Sequence, residues 1–333
     1  MRKIIYFKIK PYFISSAAVG GYEERRGPLG KAFDFCDDSD RFGKKTWEAA
    51  EGEMGRICLS FAMKKAGLQS HSIDALLAGD LENQCVASSG GLYSFGIPYM
   101  GLYGACSTCA ESLLILSTLI SNASISVGAT VTTSHNSAAE RQFRTPIEYG
   151  AQRTPSSQWT ATAAGAFILS SEKKTKAYIN NAMIGKIVDG LTTDGSNMGA
   201  AMSRAAYDSV YTYLTLTNTR PEDYDAIYTG DLGKEGAEIF CNLLKNDFPL
   251  IDKKHKDCGM LLYDFKKSNV NSGASGCGCS ASVLSSHILP KFSSGEYKNI
   301  LFLSTGALMN PSSILQGENI LGVAPLINIK GEN

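Results

Sequence analysis

The chain has 333 residues, 32 Lys+Arg against 32 Asp+Glu, and 44% hydrophobic residues. That length is about twice a typical single domain, and the apolar content is ample for a core, which excludes a disordered chain. The formal charge of zero leaves no whole-chain electrostatic footprint for nucleic acid or an anionic membrane, although net charge is blind to a local basic pocket.

The opening segment, MRKIIYFKIKPYFIS, is basic and partly apolar. Lys8, Lys10 and Pro11 interrupt it, so it lacks the continuous apolar stretch of a signal peptide and reads as an edge strand. No apolar run approaches the ~20 residues needed to span a bilayer. Apolar residues at helical spacing from Glu48 to Ala66 predict an amphipathic helix. SIDALLAGDL (72–81) follows as a short apolar strand closing on Gly-Asp-Leu. Asn83 and Gln84 come next, placed to line a cleft or to make a turn. YGACSTC (103–109) opens the helix AESLLILSTLI (110–120). Its near-uniform apolarity predicts burial on all sides, as a helix layer between two sheets would provide. A buried strand at 125–134 then enters the polar string TSHNSAAERQFRTPIEYG (133–150).

The second half repeats this order. A helical stretch from Ala205 to Leu216 precedes DYDAIYTGDL (223–232), which lies 151 residues beyond its counterpart. GASGCGC (273–279) opens SASVLSSHIL (280–289), which Pro290 should stop, and the strand NILFLSTGAL (299–308) follows. The two cysteine turns are 171 residues apart, so the second half should hold about twenty extra residues, at 253–269. Helix–strand alternation with Gly-rich turns predicts α/β units and a largely parallel sheet. The repeat predicts a pseudo-twofold pair of such sheets.

Cys106 is the first candidate for chemistry. Amide N–H groups and the helix dipole at a helix entry favour negative charge, so a cysteine there can have a lowered pKa and act as a nucleophile. The same geometry binds an anion without chemistry, and a small residue can simply fill a tight turn. CSTC (106–109) also fits redox exchange, or zinc shared with Cys277 and Cys279, but the two pairs lie far apart and no metal is expected. The nine cysteines are odd in number and lack scaffold spacing, which favours reduced thiols and cytosolic synthesis.

His135 follows a strand directly, where α/β proteins bind ligands. Arg141 and Arg144, close to Glu140, Glu148 and Tyr149, suit a planar carboxylate-bearing ligand, because guanidinium groups bind carboxylates bidentately. A solvated surface loop is the competing reading. Asp80 and Asp231 hold matching repeat positions and are expected to cap the loop after each strand. His71, His255 and His287 have no patterned company.

Beyond these features, nearly the whole chain resembles the stage V sporulation protein AD family. The resemblance rests on GPLGKAFD (27–34), LLAGDLENQ (76–84), YGACSTCAES (103–112), TSHNSAAERQFRTPIEYG (133–150), NMGAAMSRAA (197–206), YTGDL (228–232), HKDCGMLLYD (255–264), GASGCGCSA (273–281) and LSTGALMNP (303–311). It implies a thiolase-like five-layer α/β/α/β/α sandwich. It further implies that two pseudo-twofold-related halves, 1–175 and 176–333, form one compact body and that the protein pairs as a homodimer. It also implies a departure from the superfamily's enzymes. The nucleophile position is kept as Cys106. The histidine of a GHPxGASG-type motif is replaced by Val270, preceded by Asn269, and a further cysteine position holds Ser304.

The implied role is binding of dipicolinic acid or its calcium chelate, without a cofactor. The protein would act beside the membrane proteins of the stage V A complex, made in the forespore cytoplasm and peripheral on the inner spore membrane. The expected pocket joins Cys106, His135, Arg141, Arg144, Asn83 and Tyr149, with the helix amides taking one carboxylate and an arginine the other. An acyl-transfer or condensing enzyme using Cys106, and a purely structural assembly subunit, are the alternatives.

Overall fold

The computed structural model describes residues 3–143, 153–268 and 270–332. The first half supplies β1 (Tyr12–Gly20), α1 (Trp47–Ala66), β2 (Ala75–Gly79), α2 (Val86–Leu92), β3 (Tyr99–Gly101), α3 (Thr108–Ser121), β4 (Val127–Ser134), α4 (Asn136–Phe143) and β5 (Ala163–Ser170). The second supplies β6 (Ala177–Met183), α5 (Met198–Thr217), β7 (Ala226–Thr229), α6 (Gly233–Leu244), β8 (His255–Asp257), α7 (Cys277–Val283), β9 (Asn299–Leu303) and β10 (Leu326–Gly331).

These strands lie in the order β8-β7-β9-β10-β6-β1-β5-β4-β2-β3. Counted within each half, both runs read third, second, fourth, fifth, first. β1 and β6, the first strands of the two halves, meet through the pair Tyr12 and Tyr178. The sheet is mixed rather than largely parallel. β2 pairs parallel with β3 and β4, and β7 with β8 and β9, but the last strand of each half, β5 or β10, runs antiparallel to both its neighbours. Between β9 and β10 no helix has the length a parallel crossover requires.

Three apolar cores define the layers. Leu113, Leu116 and Ile120 of α3 and Val283 of α7 pack between Phe167 of β5 and Ile327 of β10. Met54 and Leu59 of α1 cover Val131 and Ala166 on the outer face of the first half. Met202 and Val210 of α5, with Phe240 of α6, cover Ile227 and Leu301 of the second. The layers therefore run α1/α2, first half, α3/α7, second half, α5/α6, and the apolar α3 is buried between sheets as its composition requires. Each outer helix pair closes on glycines. A Cβ on Gly91 would lie 2.0 Å from the Gly52 carbonyl oxygen, and one on Gly236 would lie 2.6 Å from that of Gly199.

Local signals set most helix ends. Thr46 accepts from the Ala49 amide at the start of α1, and Gly67 ends it in the left-handed region. Asn197 caps α5 in the same way. Two boundaries differ from the sequence reading. Pro290 does not stop the helix. A π turn at Leu284–Ile288 shifts the hydrogen-bond ladder, and Pro290 takes a first-turn position in the segment Leu289–Ser294, where its missing N–H is tolerated. The opening segment is not one edge strand either. Ile5–Tyr6 pairs with β6, whereas Tyr12–Gly20 becomes β1 at the junction of the halves, with Ala17 and Ala18 fully buried. Among the described residues, no helix is long and apolar enough to cross a membrane.

Candidate functional site

The turn before α3 holds Cys106. Ala105 has φ +51, a left-handed value that costs a residue with a side chain about 1–3 kcal/mol. Local hydrogen bonds hold it there. The Ser107 hydroxyl donates to the Gly104 carbonyl at 2.6 Å, and the Thr108 hydroxyl to the Ala105 carbonyl at 2.7 Å. Cys106 is only 7% exposed and packs with Leu81, Ala139 and Cys277.

A cavity of about 470 Å³ opens beside this turn, between the two halves. That is within the ~300–1,000 Å³ range of small-molecule sites. The amides of Asn83, Gln142 and Asn310 and the hydroxyls of Tyr103, Ser275 and Ser312 supply its polarity. Leu81, Met198, Leu308 and Met309 supply apolar wall. Among the described lining residues none is a Lys, Arg, His, Asp or Glu. Asn83 is tied to the Tyr103 hydroxyl, which donates to its Oδ1 at 3.1 Å.

Beneath Cys106 lies Asp231, fully buried at the end of β7. It accepts from the Gly276 amide and the Thr305 hydroxyl, each at 2.8 Å, and faces the Cys106 thiol. Burial raises its carboxyl to about 7 despite these donors. Burial, and then the neighbouring Asp231 and Cys277, push the Cys106 thiol well above its ordinary range. The expected lowering of the Cys106 pKa is therefore reversed. Desolvation and an adjacent carboxylate outweigh the helix dipole, and Cys106 sits as a protonated thiol.

Of the six residues expected to share a pocket, Cys106 and Asn83 line the cavity. His135 does not. Its Nδ1 accepts from the Ser137 amide at 3.2 Å, so Nε2 carries the proton and donates to the Asp40 carbonyl at 2.8 Å. The ring packs on Trp47, and burial lowers its pKa. Arg141 is also turned to another task, an ion pair with Glu48. Arg144 and Tyr149 lie outside the described residues, as does Glu148. Gln142 enters the wall in their place, one residue beyond Arg141 on α4.

Val270 is 3% exposed and belongs to the central core. Ser304 is buried, accepts from the Ala110 amide and donates to Ser280. The sequence reading missed Asp231 as part of this site. The repeated Gly-Asp-Leu marked the residue, but its partners come from a distant turn and strand end. All nine cysteines are free.

The sequence profile of the family described as "Stage V sporulation protein AD (SpoVAD)" matches residues 1–330. The stage V sporulation protein AD of Bacillus subtilis (strain 168) is 38% identical over 315 residues, covering 94% of this chain and 93% of that protein. Among solved structures, 3-oxoacyl-[acyl-carrier-protein] synthase III from Aquifex aeolicus VF5 matches with TM-score 0.59 at 12% identity, over 95% of this chain and 99% of its own. A variant of OleA from Xanthomonas campestris matches with TM-score 0.60 at 12% identity, over 97% and 99%. These two likenesses concern the fold, which is the thiolase-like sandwich of condensing enzymes.

Proposed function

This chain belongs to the stage V sporulation protein AD family, and from that premise we propose that it binds dipicolinic acid or its calcium chelate without catalysis. The proposed setting is the stage V A transport machinery, peripheral to the inner spore membrane beside its membrane proteins. The observation that carries the reading is the cavity at the Cys106 turn. It combines a volume in the small-molecule range, amide and hydroxyl hydrogen-bonding groups, and a thiol held protonated over Asp231. A condensing reaction needs a thiolate and a proton-transfer partner within hydrogen-bond reach. His135, the nearest candidate in sequence, is committed to Asp40 and Ser137.

The amides of Asn83 and Gln142 are suited to donate to a carboxylate. A hydrogen bond to a charged group contributes roughly 1.5–3 kcal/mol. Titration calorimetry with dipicolinate, with and without calcium, should show saturable binding. Gln142→Ala should weaken it by about tenfold or more. Folded protein that takes up neither form would sink the reading.

The fold is shared with condensing enzymes and Cys106 keeps the helix entry, so acyl transfer is the second reading. Incubation with acyl-CoA followed by intact-mass measurement separates the two. An adduct that disappears in Cys106→Ser would favour the enzyme, whereas slow alkylation of Cys106 by iodoacetamide at neutral pH would favour the binder. The homodimer belongs to the same proposal. The edge strand β3 offers an exposed backbone edge, with Tyr99 and Met100 43% and 46% exposed, for antiparallel pairing with a second copy.

A further inference from the structure

We propose that the cavity binds its anion together with a proton, stored in the buried carboxyl pair Glu51 and Glu82 and in Asp231. This rests on the reading of the cavity as a dipicolinate site.

Glu82 lies between two cavity-lining residues, Leu81 and Asn83, and is itself fully buried. Its carboxyl faces that of Glu51 on α1, also fully buried. Glu51 Oε2 and both oxygens of Glu82 have no hydrogen-bond partner. Two buried carboxyls facing each other without donors are unfavourable as a doubly charged pair, and one proton held between them relieves it. The groups facing the pair do little to neutralise it. Thr133 of β4 donates to Glu51 Oε1 at 2.8 Å. Asp80 at the end of β2 and Glu48 of α1 add negative charge, and Arg141 of α4, the one described cation facing the pair, is held by Glu48.

On the opposite side, Asp231 faces the thiols of Cys106, Cys258, Cys277 and Cys279 and the carboxyl of Asp257, with the Gly276 amide and the Thr305 hydroxyl as its donors. A carboxylate ligand thus arrives at described walls that are neutral and are backed on both sides by buried acids. Each of those acids becomes harder to ionise once an anion sits in front of it, because the interior screens poorly. Burial already raises both Glu82 and Asp231 to about 7. Near neutral pH each is therefore partly protonated, and a small further rise changes its occupancy. The proton comes from solvent, and no bond of the ligand changes.

The expected consequence is uptake of up to about one proton per ligand, with affinity falling as pH rises through neutrality by at most about tenfold per pH unit. The experiment is calorimetric titration of dipicolinate near neutral pH in phosphate and in Tris, whose ionisation heats differ. A buffer-dependent enthalpy that shrinks in Glu82→Gln or Asp231→Asn supports the coupling. Saturable binding with equal heats in both buffers overturns it, as does a buffer dependence unchanged in both variants. Infrared difference spectra of the ligand-free protein provide the second arm. A protonated-carboxyl stretch present at neutral pH and reduced in Glu82→Gln supports the shared proton, and its absence overturns it. If the stretch is present but dipicolinate never binds, the coupling falls because the dipicolinate reading has failed, not because the buried proton is missing.

Discussion

Asp80 and Asp231 end matching strands in the two halves, follow the same glycine and are both fully buried, yet they perform different tasks. Asp80 serves its own loop. It accepts from the Glu82 amide at 2.8 Å and from the Ser88 amide and hydroxyl, each at 2.7 Å. Asp231 leaves its loop alone and reaches to Gly276, Thr305 and Cys106. The loop after β7 is held instead by Asp257 of the neighbouring strand, which accepts from the Leu232 and Gly233 amides and the Thr229 hydroxyl. With a second carboxylate capping the loop, the repeated aspartate instead holds the Gly276 turn and the Thr305 strand end under the cavity, facing Cys106 of the first half. Only the first half therefore meets the expectation that both aspartates cap their loops.

The preceding glycines test this asymmetry most severely. A Cβ on Gly79 would lie 2.1 Å from the Leu102 carbonyl oxygen, a backbone atom that cannot swing away. On Gly230 the nearest atom is the Ser304 Cα at 3.1 Å. Gly79→Ala should therefore destabilise by about 3 kcal/mol or more, and Gly230→Ala by about 1 kcal/mol. Urea denaturation of the two variants checks the ranking, and equal losses would show that the two turns are not differently packed.

The aspartates come next. Asp231→Ala abandons a buried amide, a buried hydroxyl and the thiol, and should cost about 3 kcal/mol. Asp80→Ala should cost about 2 kcal/mol, because its loop is nearer the surface and water can replace part of what is lost. Hydrogen exchange distinguishes their reach. Asp80→Ala should raise exchange locally around residues 82–88, whereas Asp231→Ala should raise it in the 273–279 turn and at 304–305 of the other strand end. Identical exchange maps would erase the distinction between a local and a bridging carboxylate.

Legibility from sequence follows the same division. The repeated Gly-Asp-Leu strings and the helix–strand order around them are local patterns. They anticipated two runs of strands, which the structure lays down in one order, and the apolar string 110–120 anticipated a helix buried on all sides. The antiparallel return strands were not legible, since strand direction depends on how long the connections are in space. Asp231 was marked by its repeat, but its role was hidden. Its partners at Gly276 and Thr305 are 45 and 74 residues away, and no periodicity encodes such a contact. His135 misled for the opposite reason. Its place at a strand end is a good local sign of a ligand site, yet the Asp40 carbonyl, 95 residues away, claims its ring.

A further effect concerns pH and compares the neighbourhoods of the same two aspartates. Glu82 beside Asp80, like Asp231 itself, has its carboxyl raised to about 7 in the folded chain, while an unfolded glutamate titrates near 4.5. Between those values the native state keeps a proton that the unfolded chain has released. Stability contributed by Glu82 is thus fully present below about 4.5 and drains away as pH rises through about 7. Glu24, held at about 7 by burial, and Asp257, held at about 6, add slopes of the same sign. Glu82→Gln should remove only its own share of the slope, at most about 3 kcal/mol across that window. Denaturation midpoints measured from acidic to mildly alkaline pH should fall less steeply in the variant than in wild type. A variant whose profile runs parallel to wild type throughout would mean that Glu82 enters the folded state already ionised, and that the first half's acid pair holds no proton.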